Sequence, residues 1–223
     1  KKAYESRDPR LQMAIITPYA QYNGASSGIA HTYTLRWPYR GSDSAEPFDI
    51  RTDTNDKFYY LWRKFVPEGL EQTERDTYGL DIPLIRYAEV LLLKAEALNE
   101  WGSTHESEAI RCVNEVRRRA GHVELNNATY PATKVNGQSD LRERIRNEYY
   151  WEIGGEDSMY FHELRWGTWK DKKFDNNRNG LMQMWGETTY TWYWLGDQCW
   201  SWPIPAKEME MNSNLEQNEG WIN

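Results

Sequence analysis

After Pro83 the chain places Leu84, Tyr87, Ala88, Leu91, Leu92, Ala95 and Leu98 at three- and four-residue steps. That spacing lines one side of an α-helix with apolar groups, and Arg86, Glu89, Lys94, Glu96 and Glu100 fall largely outside the stripe. Pro83 suits the first turn, where a missing amide hydrogen leaves no partner unsatisfied. The stripe stops near Trp101, before Gly102. Ser103 and Glu106 have the spacing of a capping box, and a second stripe runs through Ile110, Val113 and Val116 to Gly121, a C-cap. Stripe, short turn and stripe predict two antiparallel helices over residues 83 to 120.

A third helix is predicted from Asp140 and Glu143, again at capping-box spacing, through Leu141, Ile145, Tyr149 and Glu152, with Gly154 and Gly155 stopping it. MYFHELRW, residues 159 to 166, reads as a further short helix. Residues 1 to 80 are loop-rich: YNGASSG at 22 to 28 and RGSDSAEP at 40 to 47 carry turn residues, and HTYTLRWPYR at 31 to 40 alternates as a strand ended by Pro38. Residues 81 to 169 form the helical part, and 170 to 223 an irregular, aromatic-rich closing segment with a polar tail along the surface. The fold class is mainly α, with helix pairs, long aromatic-rich loops and a few short strands.

Net charge excludes some partners. At −7 the chain repels phosphate backbones and anionic membrane surfaces, which argues against nucleic acid. Two cysteines, Cys112 and Cys199, form neither a disulfide framework nor a zinc pattern. The longest apolar run, VLLL at 90 to 93, is far below the roughly 20 residues of a membrane helix. The start, KKAYESRDPR, has no initiator Met, apolar signal region or acylated-cysteine motif, which suggests a piece of something longer.

Four constellations bear on chemistry. Glu152, Glu156 and Asp157, with Glu163 further on, offer the carboxylates of a glycosidase, or a charged helix end paired with Arg142, Arg146 or Arg165. DNNRNG at 175 to 180 matches the opening of a calcium loop, but Gly186 holds the twelfth position and Glu187 comes one residue late, so a plain turn is favoured. The histidines at 31, 105, 122 and 162 form no HExxH or triad, and no phosphate-loop motif occurs. No catalytic residue, metal site or cofactor is assigned.

The aromatic residues remain, 12 Trp and 15 Tyr beside five Phe. Such rings stack on the C–H faces of pyranoses while neighbouring polar groups take the hydroxyls. One cluster is Tyr19, Tyr22, Trp37, Tyr39 and Arg40; the other is Trp185, Tyr190, Trp192 and Trp194. The candidate ligand-binding residues are Tyr22, Trp37, Tyr39, Arg40, Trp185, Tyr190, Trp192 and Trp194. Loops packed on a helical scaffold also use large rings to fill space, so core and ligand roles both stay open. The run TYTWYW fits a strand with one face inward, and CWSWPIP reads as structural.

DIPLIRYAEVLLLKAEALNE at 81 to 100 resembles the SusD/RagB family. The resemblance continues through SRDPRL at 6 to 11, NEVRRRAG at 114 to 121, LRERIRNEYYWEIGGEDSMYFHELRWGTW at 141 to 169 and WPIPAKEMEMNSNLEQNEGW at 202 to 221. It implies a surface-exposed outer-membrane lipoprotein of tetratricopeptide-like helix pairs. Such a protein captures oligo- or polysaccharide for a SusC-like TonB-dependent transporter, and its lipid anchor would lie on a preceding part. Family members run to about twice this length, and where relatives read Glu-Gly-His-Arg this chain has Glu156, Asp157, Ser158 and Met159. The expected function is therefore a non-catalytic glycan-binding module. The alternatives are a peptide-binding or transporter-docking protein of the RagB type and a glycosidase using Glu152, Glu156 or Glu163.

Overall fold

The structure is a computed structural model of the 223-residue chain and describes residues 4, 7–17, 20–26, 29–35, 49–50, 61–69, 79, 81–156, 158–174 and 193–221. It divides into two compact units, Lys1–His162 and Glu163–Asn223.

Three helices build the core of the first unit: α2 (Tyr87–Trp101), α3 (Glu106–Arg119) and α4 (Gln138–Ile153). The two predicted stripes face each other, and α2 also packs on α4. Leu91, Leu92, Ala95 and Leu98 on α2 and Ala109, Ile110, Val113 and Val116 on α3 are buried, while Leu141, Ile145, Tyr149 and Ile153 are the buried apolar residues of α4. Fully burying one such Leu or Ile contributes about 1.5–3 kcal/mol, so this apolar interior dominates the stability of the unit.

The boundaries differ from expectation in instructive ways. Helix α2 starts at Tyr87, not Pro83, and Leu84 lies outside the stripe with 86% of its surface open. Arg86 takes the N-cap position with extended backbone, because its side chain reaches across to Glu152 and Glu156. Glu89, expected outside, is buried beside His162, with Nε2 and Oε1 at 2.8 Å. Neither capping box forms. A 3-10 turn, Ser103–His105, precedes α3, and Asp140 accepts the amide hydrogen of Asn136 while Glu143 pairs with Arg146.

The end of α3 matches its sequence signal. Gly121 takes φ +71°, its amide donates to Arg118 O at 3.1 Å, and the His122 amide donates to Arg117 O at 2.9 Å. This is the paired hydrogen-bond pattern that a left-handed residue after a helix permits. It carries the chain round to His122 while Arg117 and Arg119 stay on the last turn.

Short elements precede the helices: α1 (Arg10–Ala14), β1 (Ile15–Ile16), β2 (Gln21–Ser26), β3 (Ile29–Leu35), β4 (Asp49–Ile50) and β5 (Leu61–Trp62). β1 pairs antiparallel with β5, β2 antiparallel with β3, and β3 parallel with β4. YNGAS is therefore strand, not loop. Asn23 and Gly24 stay extended because each has a ladder partner, Thr32 and His31, an outcome that turn chemistry in isolation does not foresee.

Helix α5 (Ser158–Arg165) realises the predicted MYFHELRW helix. The second unit holds α6 (Trp169–Lys173), a 3-10 turn at Asp197–Trp200 and α7 (Ala206–Met211). Its tail is pinned, where the sequence suggested a surface meander: Gln217 accepts the Ile204 amide at 2.8 Å and donates to Ile204 O at 2.9 Å, and Trp221 Nε1 donates to Ser201 O at 2.8 Å. The closing segment is held by its backbone, and the ring of Trp202 in CWSWPIP is 80% exposed, not packed.

Candidate ligand-binding site

The carboxylates come first, since catalysis would need them. Glu148 is sealed between Arg10 Nη2 at 2.7 Å and Arg117 Nε at 2.7 Å. Glu152 meets Arg10 Nη1 and Arg86 Nη1, each at 3.0 Å, and Arg119 Nη2. Glu156 meets Arg86 Nε at 2.9 Å and Lys64 Nζ. Asp8 closes the network on Arg10 Nη2 at 2.6 Å. Burial alone would raise the pKa of Glu152 and Glu156. Hydrogen bonds from Arg10 and Arg86 to the first, and from Arg86 and Lys64 to the second, outweigh it and hold both below the usual carboxylate range.

A glycosidase acid needs the opposite shift. The ion-pair reading of Glu152 and Glu156 holds, with different partners from those the sequence offered. Arg142 pairs with Glu100, Arg146 with Glu143, and the Arg165 guanidinium lies 5.7 Å from the Trp166 ring centroid. The true partners come from residues 10, 64, 86 and 119, which only the fold brings near α4. Glu163 is buried, and Asp157 lies outside the described residues.

The second unit contains a linked row of rings. Trp169 and Phe174 have centroids 5.9 Å apart, Phe174 and Trp194 5.1 Å, and Trp194 and Trp200 4.9 Å, with interplanar angles from 55° to 71°. These inclined arrangements suit ring quadrupoles better than flat sandwiches do. Asp197, at the head of the 3-10 turn, accepts from Lys170 Nζ at 3.2 Å and Trp194 Nε1 at 3.3 Å. Lys170 Nζ also stands 5.1 Å from the Trp194 centroid. Hydrogen bonds from Lys170 and Trp194 lower the Asp197 pKa, so the group is an ionised acceptor. Rings with one carboxylate and one amine at their rim offer a pyranose both apolar and polar contacts.

Of the expected ligand-binding residues, Trp194 sits in this row and is half-buried. Tyr22 is corrected: its ring is 6% exposed and its hydroxyl donates to Pro67 O at 3.2 Å, because β2 turns that side inward. Trp37, Tyr39, Arg40, Trp185, Tyr190 and Trp192 lie outside the described residues, as do Tyr19 and the DNNRNG segment. Lys170, Asp197 and Trp200 were missed; the WLGDQCW pattern of aromatics around an acid was the only signal for Asp197 and Trp200, and Lys170 had none. His105 stacks on Trp101 at 4.3 Å and His122 meets the Trp151 edge at 5.6 Å. Among the described residues no His, Cys, Asp and Glu group is arranged to hold a metal, and no helix is long and apolar enough to cross a membrane.

The SusD family model matches residues 1–221. SusD-like protein P38 of Formosa agariphila is 32% identical over 139 residues, 62% of this chain and 24% of that protein. The starch-binding protein SusD of Bacteroides thetaiotaomicron is 28% identical over 161 residues, 72% of this chain and 25% of that protein. A SusD-like carbohydrate-binding protein of Bacteroides fragilis superposes with TM-score 0.56 at 26% identity, over 95% of this chain and 42% of that one. Another B. fragilis SusD-like protein gives TM-score 0.63 at 22% identity, over 99% and 40%, and shows the fold alone. The chain thus spans about a quarter of the curated relatives it matches and about two fifths of the solved structures. With the model matched almost end to end and the helix pair in place, the chain belongs to the SusD family.

Proposed function

We propose that this chain is the glycan-capturing part of an outer-membrane nutrient-binding protein that passes oligo- or polysaccharide to a SusC-like TonB-dependent transporter without cleaving it. The observation that carries the reading is the ring row around Asp197, with Tyr193 and Trp202 exposed in the same unit. One relative is named for starch binding and one solved neighbour for carbohydrate binding, which supports the same cargo class. The ionised state of Glu152 and Glu156 supports capture without hydrolysis. A few stacked sugars with hydroxyl hydrogen bonds give roughly micromolar to millimolar affinity, weak enough to hand a ligand onward.

The test is a glycan array followed by calorimetry on the best ligand. Replacing Trp194 by Ala together with Asp197 by Asn is expected to weaken that ligand at least tenfold. Unchanged affinity in the double variant, or binding of oligopeptides and of no glycan, overturns the proposal.

A further inference from the structure

A second recess system lies wholly in the first unit, around Trp151 on α4. One recess, about 400 Å³, is bounded by Asp8, Leu11 and His122; the other, about 160 Å³, by Lys64, Arg86 and Arg119. Trp151 and Arg10 line both, and Trp151 is 43% exposed. Arg117 holds its guanidinium carbon 5.6 Å from the Trp151 centroid, and the His122 ring meets the indole edge-on. The ring is thus steadied from its own unit while keeping open surface beside cationic walls.

Charge in this region does not balance. In the ion-paired cluster five cations, Arg10, Lys64, Arg86, Arg117 and Arg119, face four carboxylates, Asp8, Glu148, Glu152 and Glu156, and Arg7 also lines the larger recess, in a chain whose net charge is −7. Most of the donors are committed. Lys64 Nζ serves Glu152 O, Gly154 O and Glu156; Arg86 serves Glu152 and Glu156; Arg10 serves Asp8, Glu148 and Glu152. Arg119 differs: only Nη2 is used, on Glu152, and Nε and Nη1 have no partner among the described residues. Its side chain is 60% exposed, so the surplus charge surfaces there, on the wall of the smaller recess.

We propose that Trp151 and Arg119 form a subsite for a hexuronate residue of an acidic glycan, with the pyranose on the indole and the carboxylate accepting from the open N–H groups of the guanidinium. Open guanidinium N–H groups donate charge-assisted hydrogen bonds to a carboxylate that a neutral hydroxymethyl group cannot reproduce. Although the chain as a whole is negative, a carboxylate on a stacked ring gains from the local excess. The inference rests on the carbohydrate reading for its ligand class. It uses none of the residues of the Asp197 ring row, so the two can fail separately.

Calorimetry on the full chain with hexagalacturonate, its methyl ester and maltohexaose tests it. The free acid is expected to bind at least tenfold tighter than the ester, which has the same rings without the charge. Arg119→Gln should bring the acid down to the level of the ester, Arg119→Lys should restore part of the difference, and Trp151→Ala should abolish both. Trp194→Ala should leave the acid-over-ester ratio unchanged, whatever it does to maltohexaose. Arg119 sits on the surface and Glu152 keeps two other cations, so the Arg119 variants remain decisive should Trp151→Ala unfold, which circular dichroism reports. No binding of the free acid, equal binding of acid and ester, or a preference that survives Arg119→Gln overturns the proposal.

Discussion

Arg117 Nε lies 2.7 Å from Glu148 Oε2, and both side chains are buried. The second oxygen of Glu148 is held by Arg10 from the start of the chain, so one carboxylate ties α1, α3 and α4 together. Removing a single member leaves an unpaired charge in the interior, which costs about 3–5 kcal/mol. Glu148→Ala should lower the urea midpoint accordingly, with Arg10→Ala close behind. A loss below about 1 kcal/mol would mean that water reaches the cluster.

Position in the stripe, not hydrophobicity, decides the cost of truncating a leucine on α2. Leu92 is fully buried, and Leu92→Ala should cost about 2–5 kcal/mol. Leu84, before the helix and exposed, should fall within about 0.5 kcal/mol of wild type on truncation. Chemical denaturation of the two variants in parallel checks the boundary of the helix directly.

Gly155 has φ +82°, and a Cβ there would stand 2.9 Å from the Trp62 ring. Gly155→Ala therefore meets two obstacles, a left-handed backbone costing about 1–2 kcal/mol and a ring in the way. The variant should be destabilised by at least that amount. Adding Trp62→Leu should recover the steric part and not the backbone part.

Acid should unfold the first unit early. Asp8, Glu152 and Glu156 have folded pKa values below their ordinary ones, because arginine and lysine hydrogen bonds overcome the effect of burial. The unfolded chain then takes up protons before the folded one does, so the contribution is complete above the ordinary values near 4 and is lost as pH falls through the lowered ones. Burial lowers the pKa of His122, which adds a smaller loss beginning below its ordinary 6.5. Thermal midpoints should decline slightly from pH 7 to 5 and steeply below about 4. A midpoint that rises on acidification would contradict the network.

The two hydrogen bonds between Gln217 and Ile204 anchor the tail. At about 0.5–1.5 kcal/mol each, their loss in Gln217→Ala should raise amide exchange around residues 202–206 and 212–221. Exchange in α2 to α4 should stay as it was.

What the sequence by itself determined is local. The 3.6-residue stripes place α2, α3 and α4, and Gly121 and Gly154 mark where helices stop, since a helix and its glycine stop are properties of neighbouring residues. The resemblance carried by DIPLIRYAEVLLL and WPIPAKEMEMN pointed to the family that the match over residues 1–221 shows. Tertiary structure alone decided the rest. It turned YNGAS into a strand by giving it a partner, buried Glu89 and Tyr22, and opened Trp202. It chose Arg10, Lys64, Arg86 and Arg119 as the partners of the α4 carboxylates over the nearer Arg142 and Arg146. Charge pairing and ring exposure depend on which distant segments the apolar stripes draw together, and no periodicity along the chain encodes that distance.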